Sequence, residues 1–450
     1  MNNPNNLNND INTFGQRVFS NLKDNKPKLF NKSFFHGKLL AWSLDKPEFK
    51  NNLFRLVDVL PTLKTSESVS RHIHEYLKTP ASEIHKIFGF GIKIIKTGVV
   101  PSVLTSFAVK QGVNQMADLF IAGKSAKDAI PKLKKIILNN QGFTVDLLGE
   151  YSVSQKESDQ YLKRYLDSLT TLSLESKNWA DKKTNSQDNQ NKKQIVNISV
   201  KLSALYSQVS CLNFNNSIKV LSEKLKLISL EALNVNAGIY VDAEDTATNN
   251  IIYETFKNVF SDCCLKEFEL PGIVIQAYAR DSVTRAEDLI SFAKTINKKI
   301  AIRLVKGAYW DSETVNANQN HWPSPLFHKK QDSDRNYEAI SKILLDNIEY
   351  CYPAFGSHNV RSLAHSCCYA KSKNISSNDF ELQMLYGMAD PIAEAFKNEG
   401  YFVRFYVPLG EILPGMGYLV RRLLENTSNE SFLRHTFLSQ DEISNLLMEP

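Results

Sequence analysis

GIVIQAYARDSVTRAEDLISFAKTINKKIAIRLVKG (272–307) decides the fold. Two short β-rich runs, GIVIQAYA (272–279) and IAIRLVKG (300–307), enclose TRAEDLISFAKTI (284–296), whose apolar residues recur at helical spacing. The same alternation continues on both sides. FTVDLLG (143–149), IVNISVKL (195–202) and IYVDAE (239–244) precede it, and CYPAFGSHN (351–359), FELQMLYG (380–387) and FVRFYVPLG (402–410) follow. Helical text comes after each run, from SDQYLKRYLDSLTTL (158–172) to YLVRRLLE (418–425). Eight strand–helix units argue for an α/β protein built as a closed (β/α)8 TIM-like barrel over residues 142–450. A doubly wound open sheet is the alternative. The barrel is preferred because polar residues end most of the runs and are not gathered at one switch point.

Outside this region the text is simpler. Residues 1–30 are rich in Asn, Lys and Asp and read as a flexible arm. Residues 31–141 read as a helical domain, with LFRLVDVLPTL (53–63), SVSRHIHEYL (68–77) and ADLFIAGKSAKDAIPKLKKIILNN (117–140) at helical spacing. DKKTNSQDNQNKKQ (181–194) reads as an exposed loop, and 307–334 as a cover over the mouth after the fifth strand.

Composition excludes several classes. The 450 residues are 23% charged and 42% hydrophobic, with a net charge of +6 from 54 basic and 48 acidic groups. That is ordinary for a globular protein, and no basic, aromatic-interleaved patch points to nucleic acid. The six cysteines form no CxxC spacing and read as free thiols of a reducing compartment. No secretory signal is visible, and the most apolar window (87–109) is broken by Lys93, Lys96 and Pro101. A cytoplasmic protein is expected, with peripheral contact with the inner membrane left open.

In a barrel the chemistry lies at the carboxyl ends of the strands. Those positions carry Asp146, Lys201, Asp242, Gln276, Arg303 with Lys306, His358 with Asn359, and Tyr406. Each has an ordinary explanation taken alone: a surface lysine, a rim ion pair, a structural amide. Seven polar strand ends together are harder to dismiss, because burying so many without a ligand is costly. On the last helix Tyr418, Arg421, Arg422 and Glu425 share one face, opposite Leu419, Val420, Leu423 and Leu424. They read either as an exposed face with an Arg421–Glu425 pair or as a carboxylate- or phosphate-gripping fork. Basic groups (Lys201, Arg303, Lys306, Arg421, Arg422) outnumber Asp146, Asp242 and Glu425, which favours an anionic ligand. One histidine and dispersed carboxylates do not make a metal site. No nucleophile elbow, Walker sequence or GxGxxG after a strand is present, so any flavin or nicotinamide sits outside a Rossmann frame.

GFTVDLLGE (142–150), SVKLSAL (199–205), YVDAE (240–244), RLVKGAYWD (303–311), YVPLG (406–410) and YLVRRLLEN (418–426), in this order, resemble the proline dehydrogenases. The likeness is to the proline dehydrogenase half of the bifunctional proline-utilisation flavoenzymes and spans residues 50–435. It implies a distorted barrel holding FAD, which oxidises L-proline to Δ1-pyrroline-5-carboxylate by hydride transfer to flavin N5 and passes electrons to a membrane quinone. It implies that Arg421, Arg422 and Lys201 grip the proline carboxylate, that Tyr406 packs on the ring, and that Leu385 is an apolar wall. Asp242 and Arg303 would flank the reacting centre. Val241, Gln276, Arg303, Lys306, Gly307, Ala308, Trp310, Ser357, His358 and Glu425 would line the FAD.

Two departures from the family pattern are visible. Ser357-His358-Asn359 stands where the family has Thr-His-Asn, which keeps the hydroxyl. No aldehyde dehydrogenase half and no ribbon-helix-helix module is expected within the sequence, so a pyrroline-5-carboxylate dehydrogenase would be a partner or a fused domain. Two other classes stand beside this reading: a Schiff-base lyase or aldolase using Lys201 or Lys306, and a non-catalytic scaffold barrel.

Overall fold

The structure, a computed structural model, describes residues 4–24, 66–76, 120–149, 151–180, 194–411 and 440–450, with isolated positions between 52 and 65. The expected helix with Arg421, Arg422 and Glu425, most of the 31–141 helical text and the 181–193 loop lie outside the described residues.

Eight parallel strands close into a barrel in sequence order. They are β1 (Gly142–Leu147), β2 (Asn197–Val200), β3 (Gly238–Val241), β4 (Gly272–Gln276), β5 (Ile300–Val305), β6 (Cys351–Gly356), β7 (Glu381–Leu385) and β8 (Val403–Leu409). The open sheet is excluded, because Val145 of β1 pairs with Ile198 on one side and Val407 of β8 on the other. The helices around and before the barrel are α1 (Pro4–Asp24), α2 (Ser66–Tyr76), α3 (Ala126–Leu138), α4 (Gln155–Ala180), α5 (Phe214–Asn234) and α6 (Asn249–Phe260). They continue with α7 (Ser282–Thr295), α8 (Trp310–Gln319), α9 (Lys330–Asp346), α10 (Val360–Ser372), α11 (Asp390–Asn398) and α12 (Gln440–Leu446). Asn359 caps α10, its side-chain oxygen accepting from Ser362 N at 3.0 Å. No helix among the described residues is long and apolar enough to cross a membrane.

The period-2 geometry of the strands divides their residues into two sets. Val145, Ile198, Val200, Ile239, Val241, Ile273, Ile275, Ile302, Leu304, Phe355, Leu382, Phe405 and Val407 join one apolar core with the surrounding helices. Most residues between them are polar and equally buried, among them Thr144, Asp146, Ser199, Asp242, Gln276, Arg303, Glu381, Gln383 and Arg404, while Val274, Ala301 and Ala354 are apolar. The outer face of the sheet therefore holds the helices, and the barrel interior is lined mostly by hydrogen-bonding groups.

The amino-terminal arm expected over residues 1–30 is, from Pro4 to Asp24, a docked helix. Ile11, Phe14, Val18, Phe19 and Leu22 recur at helical spacing and are buried, an apolar stripe hidden by the abundance of asparagine around it. The Phe14 ring lies 5.9 Å from that of Phe396 in α11 and 5.8 Å from that of Tyr401. Arg361 of α10 ties both chain ends to the barrel. It donates to Asn8 Oδ1 at 2.8 Å and to the Leu447 carbonyl at 2.9 Å, and it is ion-paired with Glu338 of α9.

Two buried glutamates pin the loops at the barrel mouth. Glu313 of α8 accepts from Tyr278 OH at 2.6 Å, from Thr246 N at 3.2 Å and from the Thr246 hydroxyl, so it joins the segments after β3, β4 and β5. Glu244, two residues beyond Asp242, accepts from Ser203 N at 3.1 Å and from the Ser203 hydroxyl, which holds the turn that follows Lys201. Burial pushes the Glu244 pKa up to about 7, against the pull of both Ser203 hydrogen bonds.

Replacing Phe14 by Ala should cost roughly 3 kcal/mol of stability, as for other buried phenylalanines. An unchanged midpoint of chemical unfolding would show that α1 does not stabilise the barrel. The second expectation concerns Glu244. Because its folded pKa is raised, its contribution to stability is complete below the unfolded value near 4.5 and is lost as pH rises through about 7. Glu244→Gln keeps an acceptor for Ser203 N and cannot titrate. The fall in stability between pH 5 and 8 should shrink by on the order of 3 kcal/mol in this variant. Identical pH profiles for both proteins would remove Glu244 as the cause.

Candidate active site

Lys201 follows β2, Asp242 follows β3, and Arg303 and Tyr406 lie within β5 and β8, so four elements bring them together at the carboxyl end of the barrel. Tyr406 OH donates to Asp242 Oδ2 at 2.7 Å and accepts from Lys201 Nζ at 3.3 Å. Arg303 Nη1 donates to Asp242 Oδ1 at 2.7 Å and to Ser199 Oγ at 3.0 Å. Lys201 forms an ion pair with Asp146 and lies 3.8 Å from Asp242. The guanidinium carbon of Arg303 stands 4.1 Å from the centre of the Tyr240 ring and 5.2 Å from that of Tyr406, so both aromatic faces help hold its charge.

The environment fixes the protonation of this cluster. Burial works to lower the Lys201 pKa, but Asp146, Asp242 and Tyr165 together outweigh it and hold the ammonium above its ordinary value. Burial lifts the Asp146 carboxyl above the usual range, with Lys201 pulling against it. Burial raises the Tyr406 pKa well above normal, and Asp146 and Asp242 add to the effect, so the phenol keeps its proton.

The other expected positions fall in several places. Gln276 is buried at the end of β4, and its Oε1 has no partner among the described residues. Leu385 is half-buried beside Tyr406 in the β7–β8 register, and its N–H donates to His358 Nε2 at 3.0 Å. Ser357 Oγ accepts from Asn359 N at 3.0 Å. Lys306 is paired with Asp334 of α9, and burial lowers its pKa against that carboxylate. Gly307 has φ +126°, and a Cβ there would meet the Tyr278 ring at 2.6 Å, so glycine is required. The close neighbour in the described structure is therefore Tyr278. Ala308 is half-buried. Trp310 is exposed, with its indole donating to the Phe327 carbonyl at 2.8 Å. Val241 faces the helices: it belongs to the outer apolar core, so its side chain does not line the mouth as expected.

Among the described residues the expected cations each meet a carboxylate. Lys201 pairs with Asp146, Arg303 with Asp242 and Lys306 with Asp334, which it shares with Lys330. Arg421, Arg422 and Glu425, the other charged members of the expected set, lie outside the described residues.

Reading strand ends alone missed the layer beneath them. Ser199, Tyr240, Gln383, Glu381 and Arg404 each stand two or more positions earlier in their strands and complete the polar interior. Their signal was the period-2 placement of polar residues within apolar runs.

Comparison with known proteins bears on the family of the chain. The sequence profile described as Proline dehydrogenase matches residues 127–435, and the Proline utilization A N-terminal domain profile matches 8–120. The bifunctional protein PutA of Escherichia coli (strain K12) is 29% identical over 349 residues, 74% of this chain and 26% of that protein. Proline dehydrogenase 1 of Bacillus subtilis (strain 168) is 28% identical over 338 residues, 73% of this chain and 93% of that protein. The crystal structure of proline utilization A from Bdellovibrio bacteriovorus inactivated by N-propargylglycine superposes with a TM-score of 0.87 at 37% identity, covering 100% of this chain and 44% of that one. The chain thus matches about a quarter of the length of the curated bifunctional relatives and less than half of the solved proline utilization A chain. With a matching profile over most of its length, this chain belongs to the proline dehydrogenase family.

Proposed function

We propose that the chain oxidises L-proline to Δ1-pyrroline-5-carboxylate with FAD in the barrel mouth, and that the electrons pass to a membrane quinone. The observation that carries this reading is the buried Lys201–Tyr406–Asp242–Arg303 network at the carboxyl end of the strands. Gln276 Oε1 and Arg303 Nη2 are buried without partners among the described residues, on adjacent strands. A bare acceptor and a bare donor on neighbouring strands suit the edge of a flavin ring, which presents both kinds of group. Gln276, Arg303, Lys306, Gly307, Ala308, Trp310, Ser357, His358 and Glu425 would hold the cofactor, with Val241 contributing only backbone. FAD, when bound, supplies the hydride acceptor.

The protein residues bind, orient and hold charge. Arg421 and Arg422 are assigned to the proline carboxylate as a bidentate clamp, with Lys201 as the third cation. Tyr406 offers its ring face, and Asp242 fixes its hydroxyl at 2.7 Å. Leu385 supplies the apolar wall. Arg303 keeps a fixed positive charge where negative charge develops. A pyrroline-5-carboxylate dehydrogenase, as partner or as further domain, would take the product onward.

The Schiff-base alternative needs a lysine that loses its proton easily. Lys201, held protonated by its carboxylates, does not suit that role; Lys306, lowered by burial, is the better candidate for it.

The purified protein should be yellow and should bleach on anaerobic addition of L-proline, and acid precipitation should release the flavin. Persistence of the oxidised spectrum, with borohydride trapping a carbonyl compound on Lys306, would instead support the lyase. Arg421→Met and Arg422→Met should each weaken apparent proline affinity roughly ten- to a hundredfold while flavin is retained, because a hydrogen bond to a charged group contributes about 1.5–3 kcal/mol. A normal KM in both variants would show the clamp misassigned.

A further inference from the structure

Arg303 is restrained by more than Asp242. Its Nε donates to Gln383 Oε1 at 2.6 Å, in addition to the two bonds from Nη1. Only Nη2 is left without a partner among the described residues. Gln383 in turn donates through Nε2 to Glu381 Oε1 at 2.6 Å. Glu381 receives Arg404 Nε at 2.8 Å, and Arg404 Nη1 donates to the Phe143 carbonyl at 3.0 Å. All four side chains are at least nine-tenths buried.

The order of groups in this column has a physical consequence. A guanidinium can only donate and an ionised carboxylate can only accept. An amide placed between them satisfies both in one orientation, with oxygen toward Arg303 and nitrogen toward Glu381. Turning it over would set N–H against N–H and oxygen against oxygen. The Glu381–Arg404 pair thus locks the Gln383 amide, and the amide locks the rotation of the Arg303 fork.

We propose that Gln383 is a positioning residue for Arg303, with Glu381 and Arg404 fixing its amide, so that the column determines which guanidinium nitrogen faces the barrel mouth. This rests on the reading above that flavin binds against Arg303. In that setting the column acts on the cofactor through Arg303 and touches neither proline nor flavin.

The test uses the holoenzyme and two readouts: the midpoint potential of the bound flavin without proline, and the anaerobic rate of flavin reduction by proline. Gln383→Met keeps bulk and removes the acceptor. Its potential should become more negative and reduction should slow roughly tenfold, the loss expected for one hydrogen bond to a charged group, with flavin content retained. Glu381→Gln leaves Gln383 in place but frees its amide to turn over, and should shift both readouts in the same direction by less. Gln383→Glu is the rescue. When protonated, its carboxyl offers the same donor to Glu381 and the same carbonyl to Arg303. It should approach the wild-type rate at low pH and lose it as pH rises, a profile that loss of packing alone does not produce.

Wild-type potentials in Gln383→Met and Glu381→Gln would overturn the proposal, as would a Gln383→Glu variant slowed equally at every pH. If Gln383→Met fails to hold flavin, the Glu381→Gln potential decides in the same way. A wild-type protein that binds flavin but is not bleached by proline would sink the proposed function, while the potentials would still test the column.

Discussion

A positive charge at the centre of a barrel is the constraint on which the rest of this structure depends. Arg303 is 4% exposed, and an unpaired ion at that depth would cost several kcal/mol. Polar groups from β2, β7 and the end of β3 answer it. Asp242 supplies the counter-charge, Ser199 and Gln383 the remaining acceptors, and Tyr240 an aromatic floor. Once those groups are fixed, β2, β3, β5 and β7 have little freedom in register, because a one-residue slip would turn each partner outward into the apolar layer. The outer apolar residues hold the barrel together, and the inner polar ones specify which barrel it is.

The alternation of short apolar runs with amphipathic helices made the eight strands legible, since each run must bury one face against a helix. The strand-end cluster was legible for a related reason: long polar groups at one geometric level are costly without a role. The second polar layer was not. Gln383 and Arg404 sit inside apolar runs, where a polar residue looks like an interruption until the closed sheet shows what it faces. Val241 entered the expected flavin lining through the family resemblance, and alternation turns its side chain to the outer apolar core. The helix Pro4–Asp24 escaped because its few apolar residues are diluted by asparagine, and only their spacing betrays it. Partners far apart in sequence, such as Glu313 with Tyr278 or Arg361 with Asn8, leave no local signal at all.

The pairing of charges also bears on how an anionic substrate would be received. Lys201 and Arg303 already have carboxylates, so a substrate carboxylate reaching Lys201 would compete with Asp146 for its attention. On the proposed reading the unmatched charge comes from Arg421 and Arg422. The barrel interior then supplies a stiff, nearly neutral bed, and recognition of the anion is delegated to a separate segment of the chain. That division lets the reacting centre stay fixed whether or not substrate is present.

The docking of the two chain ends has a consequence of another kind. Asn8 Nδ2 donates to Glu449 at 2.7 Å, Gly15 packs against the Leu447 side chain, and Arg361 holds both segments against α9 and α10. The segments 4–24 and 440–450 therefore lie together on one flank of the barrel. Each segment thus serves as the other's packing surface, and loosening either one should be felt through Arg361 at the α9–α10 seam.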